Sequence, residues 1–349
     1  MDLSKYRNKG RTGLENLGNT CFLNSCMQVL NHTYELNHFL DSSKYKKYLK
    51  NIPDKEILLE WNDLRNVMWS GNGVVAPNKF VYNVHKIANI KNKEIFTGWA
   101  QNDMPEFLLF FMECLHNSIA RSVVMKITGK IENNVDQVAV KCYEMLNASY
   151  SKEYSEIMDL FYGIYVSEII SKSTNEKYAI KPESFFILDL PIFESSNLLT
   201  NINECMDVYV KPEFLEGDNA WYNEKSGQKE EVKKQLSFWS FPKVLVITLK
   251  RFSPDGQHKI NSLINFPLVN LDLSKYVCGY NPSSYKYDLY GICNHIGGVT
   301  GGHYTSFVKN AENQWLHYND RTIELVQTPE SIITPMAYCL FYRKKNNLL

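Results

Sequence analysis

The chain carries no net charge to speak of. Its 38 basic and 38 acidic residues cancel, which removes the electrostatic case for a nucleic-acid partner or an anionic membrane surface. No apolar run approaches the roughly 20 residues that a bilayer-spanning helix needs, and Met1 to Arg11 is polar and basic, without the apolar stretch of a signal peptide. Cys-x-x-Cys pairs are also missing: the cysteines, at 21, 26, 114, 142, 205, 278, 293 and 339, are scattered along the chain. That spacing argues against a disulfide scaffold and against a cysteine-based zinc site, and it fits reduced thiols in an intracellular, cytoplasmic or nuclear setting. Internal repeats and low-complexity tracts are absent as well.

What is present divides the chain in two. Three helical patterns occupy the first third: the run Phe22, Leu23, Cys26, Met27, Leu30; then Ile57, Trp61, Leu64, Met68; then Phe107, Phe111, Leu115 following Pro105. From about Ser184 the texture becomes short β-prone runs, Phe185–Leu190, Val244–Leu249, Tyr304–Val308 and Tyr338–Tyr342, between Pro, Gly and Asn turns. Asn117–Tyr154 reads as helical but weakly marked, and Glu213–Lys234 as a loop or long exposed hairpin. The layout is α+β, and a cleft between a helical lobe and a sheet lobe is a natural place for a split site.

The chemistry starts at Gly18-Asn19-Thr20-Cys21, which puts a thiol in the first turn of a helix. Free N–H groups and the helix dipole favour the anion there, and the thiolate is the nucleophile. A buried, inert cysteine is the alternative. Cys21 needs a base, and among eight histidines His303 has the most suggestive surroundings: Gly297, Gly298, Gly301 and Gly302 before it, the strand Tyr304–Val308 after it. Across the next turn, Trp315–Asp320 ends in Asn319 and Asp320, either of which can orient the imidazole. An ordinary hairpin with an exposed histidine and an Asn-Asp turn gives the same pattern.

These residues also carry a family resemblance. Gly13-Leu14-Glu15-Asn16-Leu17-Gly18-Asn19-Thr20-Cys21-Phe22-Leu23-Asn24-Ser25 closely resembles the cysteine box of the ubiquitin-specific proteases, and Gly301-Gly302-His303-Tyr304-Thr305 with Trp315–Asp320 resembles their histidine box. Gln101–Phe107, Pro242–Phe252 and Asn294–Gly297 match further family blocks in order. The resemblance implies a papain-like thiol protease with a helical thumb, a β-sheet palm and β fingers. It implies a single catalytic domain over residues 13–343, with short tails 1–12 and 344–349, acting as a monomer on ubiquitin and ubiquitinated proteins.

By the same resemblance Cys21 is the nucleophile and His303 the base, with Asn319 orienting it and Asp320 supporting or substituting. Asn16 becomes the oxyanion donor, although a satisfied turn asparagine is its plainer reading. Asp103 and Glu106 match positions that pair with arginines of the ubiquitin tail; their spacing equally reads as a helix N-cap with a reciprocal partner. The family's two zinc-binding Cys-x-x-Cys pairs fall near Ser171, Thr174, Glu224 and Gly227, so no zinc and no other cofactor is expected, and the fingers are expected to rely on strand pairing. A ubiquitin-binding scaffold without catalysis and a protease for a ubiquitin-like modifier are the other functions this sequence admits.

Overall fold

The computed structural model describes residues 2–98, 100–194, 197–253 and 255–345. The helical lobe begins with strand β1 (Thr12–Leu14), then α1 (Cys21–Asn31), α2 (Tyr34–Asp41), α3 (Lys55–Ser70), β2 (Gly73–Val75), α4 (Asn78–Ile90) and α5 (Met104–Ile119). Every residue of α1 is buried. An amphipathic helix would show one wet face, so α1 runs through the middle of the molecule. Around it Trp61, Phe80, Phe107 and Phe111 interlock, with Trp61 edge-on to Phe111 at 5.8 Å.

The segment before residue 13 is packed down: Tyr6 is buried, its ring 4.7 Å from both Tyr34 and Trp69. The weakly marked stretch Asn117–Tyr154 is helical over 117–119 and 134–150 but not between them. Helix α5 stops at Ile119, α6 (Asn134–Tyr150) starts on a capping box between Asn133 and Asp136, and the residues between are extended and mostly exposed. The β-branched run Val123, Val124, Ile127, Thr128 and a left-handed Gly129 disfavour helix there. A short α7 (Glu156–Phe161) completes this part.

Sheet structure begins some twenty residues before Ser184. Strands β3 (Gly163–Ser171) and β4 (Lys177–Phe185) form a hairpin, followed by β5 (Ile187–Leu190), the two-residue pair β6 (Phe193–Glu194) and β7 (Asn197–Leu198), and α8 (Ile202–Tyr209). Then come β8 (Glu213–Leu215), β9 (Trp221–Asn223), β10 (Gln228–Glu230), β11 (Val232–Ser240) and β12 (Val244–Leu249). The polar stretch Glu213–Lys234 therefore holds a small hairpin, β9–β10, between two strands of a larger sheet. That sheet, in the order β4-β3-β11-β8, projects as the fingers.

The palm adds β13 (Leu271–Asp272), β14 (Lys286–Gly297), β15 (Gly302–Lys309), β16 (Trp315–Asn319), β17 (Thr322–Leu325) and β18 (Ala337–Lys344), in the order β17-β16-β15-β14-β18-β12-β5 with β13 on β14. Helix α1 lies across β15 and β14. At the tightest point Val29 Cγ1 is 2.4 Å from where a Cβ would stand on Gly291, so that glycine permits the helix to sit on the sheet. The other palm face packs on α8 through Cys205 and Met206. Residues 346–349 of the expected C-terminal tail lie outside the described residues; Lys345 still donates its N–H to Lys286. No helix among the described residues is long and apolar enough to cross a membrane.

Candidate active site

Asn16 organises the entry to α1. Its side-chain Oδ1 accepts from the N–H groups of Gly18 and Thr20, both at 3.1 Å, while Leu17 N–H donates to the Thr20 hydroxyl at 2.9 Å. The wound loop places Asn19 and Gly18 at φ 55° and 102°. Only glycine and asparagine take such angles at low cost, which is the physical reason for Gly18-Asn19 ahead of Cys21. Cys21 follows as the first residue of the helix and is 4% exposed.

Burial is the largest influence on the Cys21 thiol and raises its pKa; the Tyr304 backbone N–H opposes this, and the Asp320 carboxylate adds to it. The helix terminus expected to favour the anion is thus outweighed by desolvation in the resting protein. Among the described residues no hydrogen bond joins Cys21 to His303; the backbone N–H that eases the thiol's pKa belongs to Tyr304, the neighbour of His303 on β15.

The hairpin β15–β16 brings Asn319 beside His303. Ser306 pairs with Tyr318, so the strands run back towards His303 and Asn319, where His303 Nε2 and Asn319 Oδ1 meet at 2.7 Å. With the Nε2 proton donated to that oxygen, Nδ1 keeps its lone pair for use as a base.

Asp320 does something else. Held at φ 48° in the turn after β16, it accepts Asn16 Nδ2 at 3.0 Å on one carboxylate oxygen and Asn24 Nδ2 at 2.8 Å on the other. Its backbone carbonyl takes the Leu14 N–H at 3.0 Å. The Asn16 amide is thereby fixed at both ends, with one of its two N–H hydrogens still free. Asn319 and Asp320 are accordingly not interchangeable: one faces the imidazole, the other the asparagine. Asn24, which the sequence reading passed over, lay inside the cysteine-box stretch.

Asp103 caps α5, with its Oδ1 accepting the Glu106 N–H at 3.0 Å, and its Oδ2 accepts the Tyr338 hydroxyl at 2.8 Å. Burial raises its pKa despite those bonds. The cap is not reciprocal: among the described residues the Glu106 carboxylate makes no ion pair, and it stands exposed in the first helical turn. Beside them Gln101 Oε1 accepts the Gly302 N–H at 2.6 Å, bridging the helical lobe to the glycine loop. Gln101, Asp103, Phe252, His295, Gly301 and Tyr304 line a cleft of about 260 Å³. Neither Gln101 nor Tyr338 was assigned a role from sequence, although Gln101 opens the motif that contains Asp103. A larger hollow of about 980 Å³, bordered by Tyr34, Glu35 and Arg343, has no cysteine in its lining.

The fingertip does not suit a zinc ion. Ser171 and Thr174 turn towards each other, with the Thr174 N–H on Ser171 Oγ at 3.2 Å, and Gly227 has no side chain to offer. No group of three or more His, Cys, Asp or Glu among the described residues is placed to hold a metal. The β3–β4 hairpin is instead tied to β11, the strand that follows β10, with Val232 opposite Ser171.

Comparison with known proteins places this architecture. The pattern of the family described as ubiquitin carboxyl-terminal hydrolase matches residues 12–342. Ubiquitin carboxyl-terminal hydrolase Usp2 of Drosophila melanogaster is 31% identical over 342 residues, which are 97% of this chain and 35% of that protein. Ubiquitin carboxyl-terminal hydrolase 2 of Homo sapiens is 32% identical over 343 residues, 96% of this chain and 55% of that protein. The chain therefore spans a third to a half of the length of these relatives. In fold it is similar to the SAGA Ubp8/Sgf11/Sus1/Sgf73 DUB module bound to ubiquitin aldehyde, with a TM-score of 0.74 and 24% identity over 99% of this chain and 72% of that one. A match that runs from the first strand of the helical lobe to the last strand of the palm leaves no part of the site outside it: the chain belongs to the ubiquitin carboxyl-terminal hydrolase family.

Proposed function

We propose that the protein is a cysteine-type deubiquitinase that hydrolyses the peptide or isopeptide bond after the C-terminal glycine of ubiquitin. The observation that carries this is the division of labour at the end of β16: Asn319 on His303, Asp320 on Asn16 and on Asn24 of the helix that bears Cys21. A hairpin with an idle histidine has no need of two such neighbours.

In the reaction His303 Nδ1 takes the Cys21 thiol proton, and the sulfur attacks the carbonyl carbon of the terminal glycine. The carbonyl oxygen becomes an oxyanion beside the free N–H of Asn16, whose contribution as a fixed donor is about 3 kcal/mol of barrier. Collapse breaks the C–N bond, and the leaving lysine amine takes the proton back from His303. Water, deprotonated by the same imidazole, then hydrolyses the thioester and releases ubiquitin's carboxylate. Substrate binding must also offset the desolvation that raises the thiol pKa in the resting site, by bringing His303 onto the sulfur, where the imidazolium formed stabilises the thiolate. Of the two tail-binding candidates, exposed Glu106, which has no ion pair among the described residues, suits an arginine, while Asp103 already accepts the Tyr338 hydroxyl and the α5 cap N–H. All eight cysteines are free thiols, which suits a reducing intracellular compartment.

A ubiquitin probe with a C-terminal electrophile tests the reading. One covalent adduct is expected on the native chain and none on Cys21→Ala or His303→Ala. Binding of ubiquitin without an adduct on the native chain would make it a scaffold, and reaction only with a ubiquitin-like modifier would change the substrate.

A further inference from the structure

The residues ahead of β1, 2–11, join two parts of the fold. At one end the Tyr6 ring is buried against Tyr34 of α2 and Trp69 of α3, and Lys5 pairs with Asp41 at the close of α2. At the other end the segment runs along the β15–β16 hairpin. Glu312 in the turn accepts the Asn8 N–H, Gln314 Oε1 accepts the Arg11 guanidinium at 2.9 Å, and the Gly10 carbonyl accepts the Tyr318 hydroxyl at 2.7 Å. The segment therefore ties the helical lobe to the hairpin that ends in Asn319.

Gly10 is the tight point. It stands at φ 79°, and a Cβ there would lie 2.7 Å from the Trp69 ring and 3.0 Å from His32 Nε2, so only glycine lets the segment pass between them. Tyr318 is 1% exposed. Its single hydroxyl proton has two acceptors in reach, the Gly10 carbonyl at 2.7 Å and His32 Nε2 at 3.4 Å, and the shorter bond takes it. Side chains alternate along a strand, so Tyr318 enters the core beside α1 while Asn319 emerges at His303. On the far side of Asn319 the Asp320 carbonyl accepts the Leu14 N–H at 3.0 Å. Asn319 thus stands between two residues that are both bonded to the N-terminal segment.

We propose that Tyr318 is a positioning residue for the hydrolysis: through its bond to Gly10 the buried segment 2–11 fixes the end of β16, and with it the Asn319 oxygen that holds the His303 tautomer. Without that bond the strand end frays and Asn319 leaves Nε2. The imidazole is then free to carry its proton on Nδ1, where no lone pair remains to accept the Cys21 proton. This rests on the deubiquitinase reading, which makes His303 the base. Its signature is in the chemical step and not in substrate binding.

The experiment uses the full chain and has two arms. In the first, hydrolysis of a ubiquitin C-terminal fluorogenic substrate is followed. Tyr318→Phe is expected to lower kcat about fivefold at constant KM, the scale of one neutral hydrogen bond, and Gly10→Ala, which unseats the segment, to lower it at least as far. Adding Tyr318→Phe to Gly10→Ala should cost nothing further, because both remove the same bond. Native kcat in Tyr318→Phe, a raised KM in place of a lowered kcat, or a double variant whose loss is the product of the single losses would overturn the proposal.

The second arm is imidazole nitrogen NMR on the free protein, which requires no substrate, at a pH where the His303 ring is neutral; His303→Gln identifies the signals. The native chain is expected to hold the Nε2–H tautomer, and Tyr318→Phe and Gly10→Ala to show a mixture of both tautomers. The native tautomer retained in both variants would refute the positioning role. If the native chain fails to cleave ubiquitin, the deubiquitinase reading falls, and this arm still decides whether Tyr318 and Gly10 hold Asn319 on His303.

Discussion

Replacing Asp320 with asparagine separates two effects that the structure places on one carboxylate. Its two oxygens hold Asn16 at 3.0 Å and Asn24 at 2.8 Å. An amide offers one acceptor oxygen and one NH2, so one of those two donors must face another donor. Each bond to a charged acceptor is worth about 1.5–3 kcal/mol, enough to release the Asn16 amide from its fixed plane. The oxyanion contribution of about 3 kcal/mol then goes with it, and kcat falls by roughly 100-fold at nearly constant KM.

The second effect has the opposite sign. The Asp320 charge raises the Cys21 pKa, so removing it moves the thiol's titration to lower pH and increases the thiolate fraction at neutrality. Iodoacetamide alkylation as a function of pH reads the thiol; steady-state hydrolysis of a ubiquitin C-terminal fluorogenic substrate reads catalysis. The expected result is a more readily ionised but slower enzyme. Its thermal midpoint should stay near that of the native chain, because the Leu14 N–H still bonds the backbone carbonyl of residue 320. Asn16→Ala should be about as slow, and the double variant no slower than Asn16→Ala alone, since Asp320 acts through Asn16. Wild-type kcat in Asp320→Asn, or a double variant whose loss is the product of the two single losses, would refute the reasoning.

Two further outcomes concern stability. His32 is fully enclosed, with Nδ1 on the Gln28 carbonyl at 2.9 Å, and burial pulls its pKa from 6.5 to about 4. His295 shifts the same way, also to about 4. The unfolded chain takes these protons at the ordinary pKa while the native chain refuses them. Stability is therefore complete above about pH 6.5 and falls towards pH 4, by up to about 1.4 kcal/mol per pH unit for each group. Urea midpoints across that window should decline, and His32→Gln should remove about half the slope; an unaltered slope would show that His32 is not a source of it. Arg251 is fully buried and spreads its guanidinium over the carbonyls of Ala337 at 2.6 Å, Ile260 at 3.0 Å and Ser262 at 2.8 Å. Lysine cannot reproduce that fork, so Arg251→Lys should cost about 2–4 kcal/mol, measured by denaturant titration; a native midpoint would refute it.

The site was legible in the sequence where a residue's neighbours along the chain state its role. Cys21 heads an apolar run because α1 is buried on all sides, and glycines surround His303 because β14 turns into β15 there, Gly297 opposite Gly302. Contacts made across the fold left no such mark: Tyr338 on Asp103, Gln101 on Gly302, and the separate duties of Asn319 and Asp320, which adjacency alone cannot distinguish. Among the secondary structure, α8 was missed although Asn201 and Glu204 supply a cap signal, its N–H of Glu204 on Asn201 Oδ1 at 3.0 Å. Strand β4 was obscured by Pro182, which demotes a strand when its place in the sheet is unknown. In the fold β4 is an edge, where proline is tolerated.

The bond from Leu14 N–H to the carbonyl of Asp320 has a consequence for the life history of the chain. Cys21 leaves the ribosome roughly 300 residues ahead of its base and clamps, about 15–60 s at ordinary elongation rates. Throughout that interval Cys21 has neither His303 nor Asp320, and Asn16 has nothing to hold its amide. A nascent or truncated chain is therefore catalytically silent. On the proposed function, competence arrives only with the last strands of the palm, so appearance of activity during translation would report that the whole hand has closed.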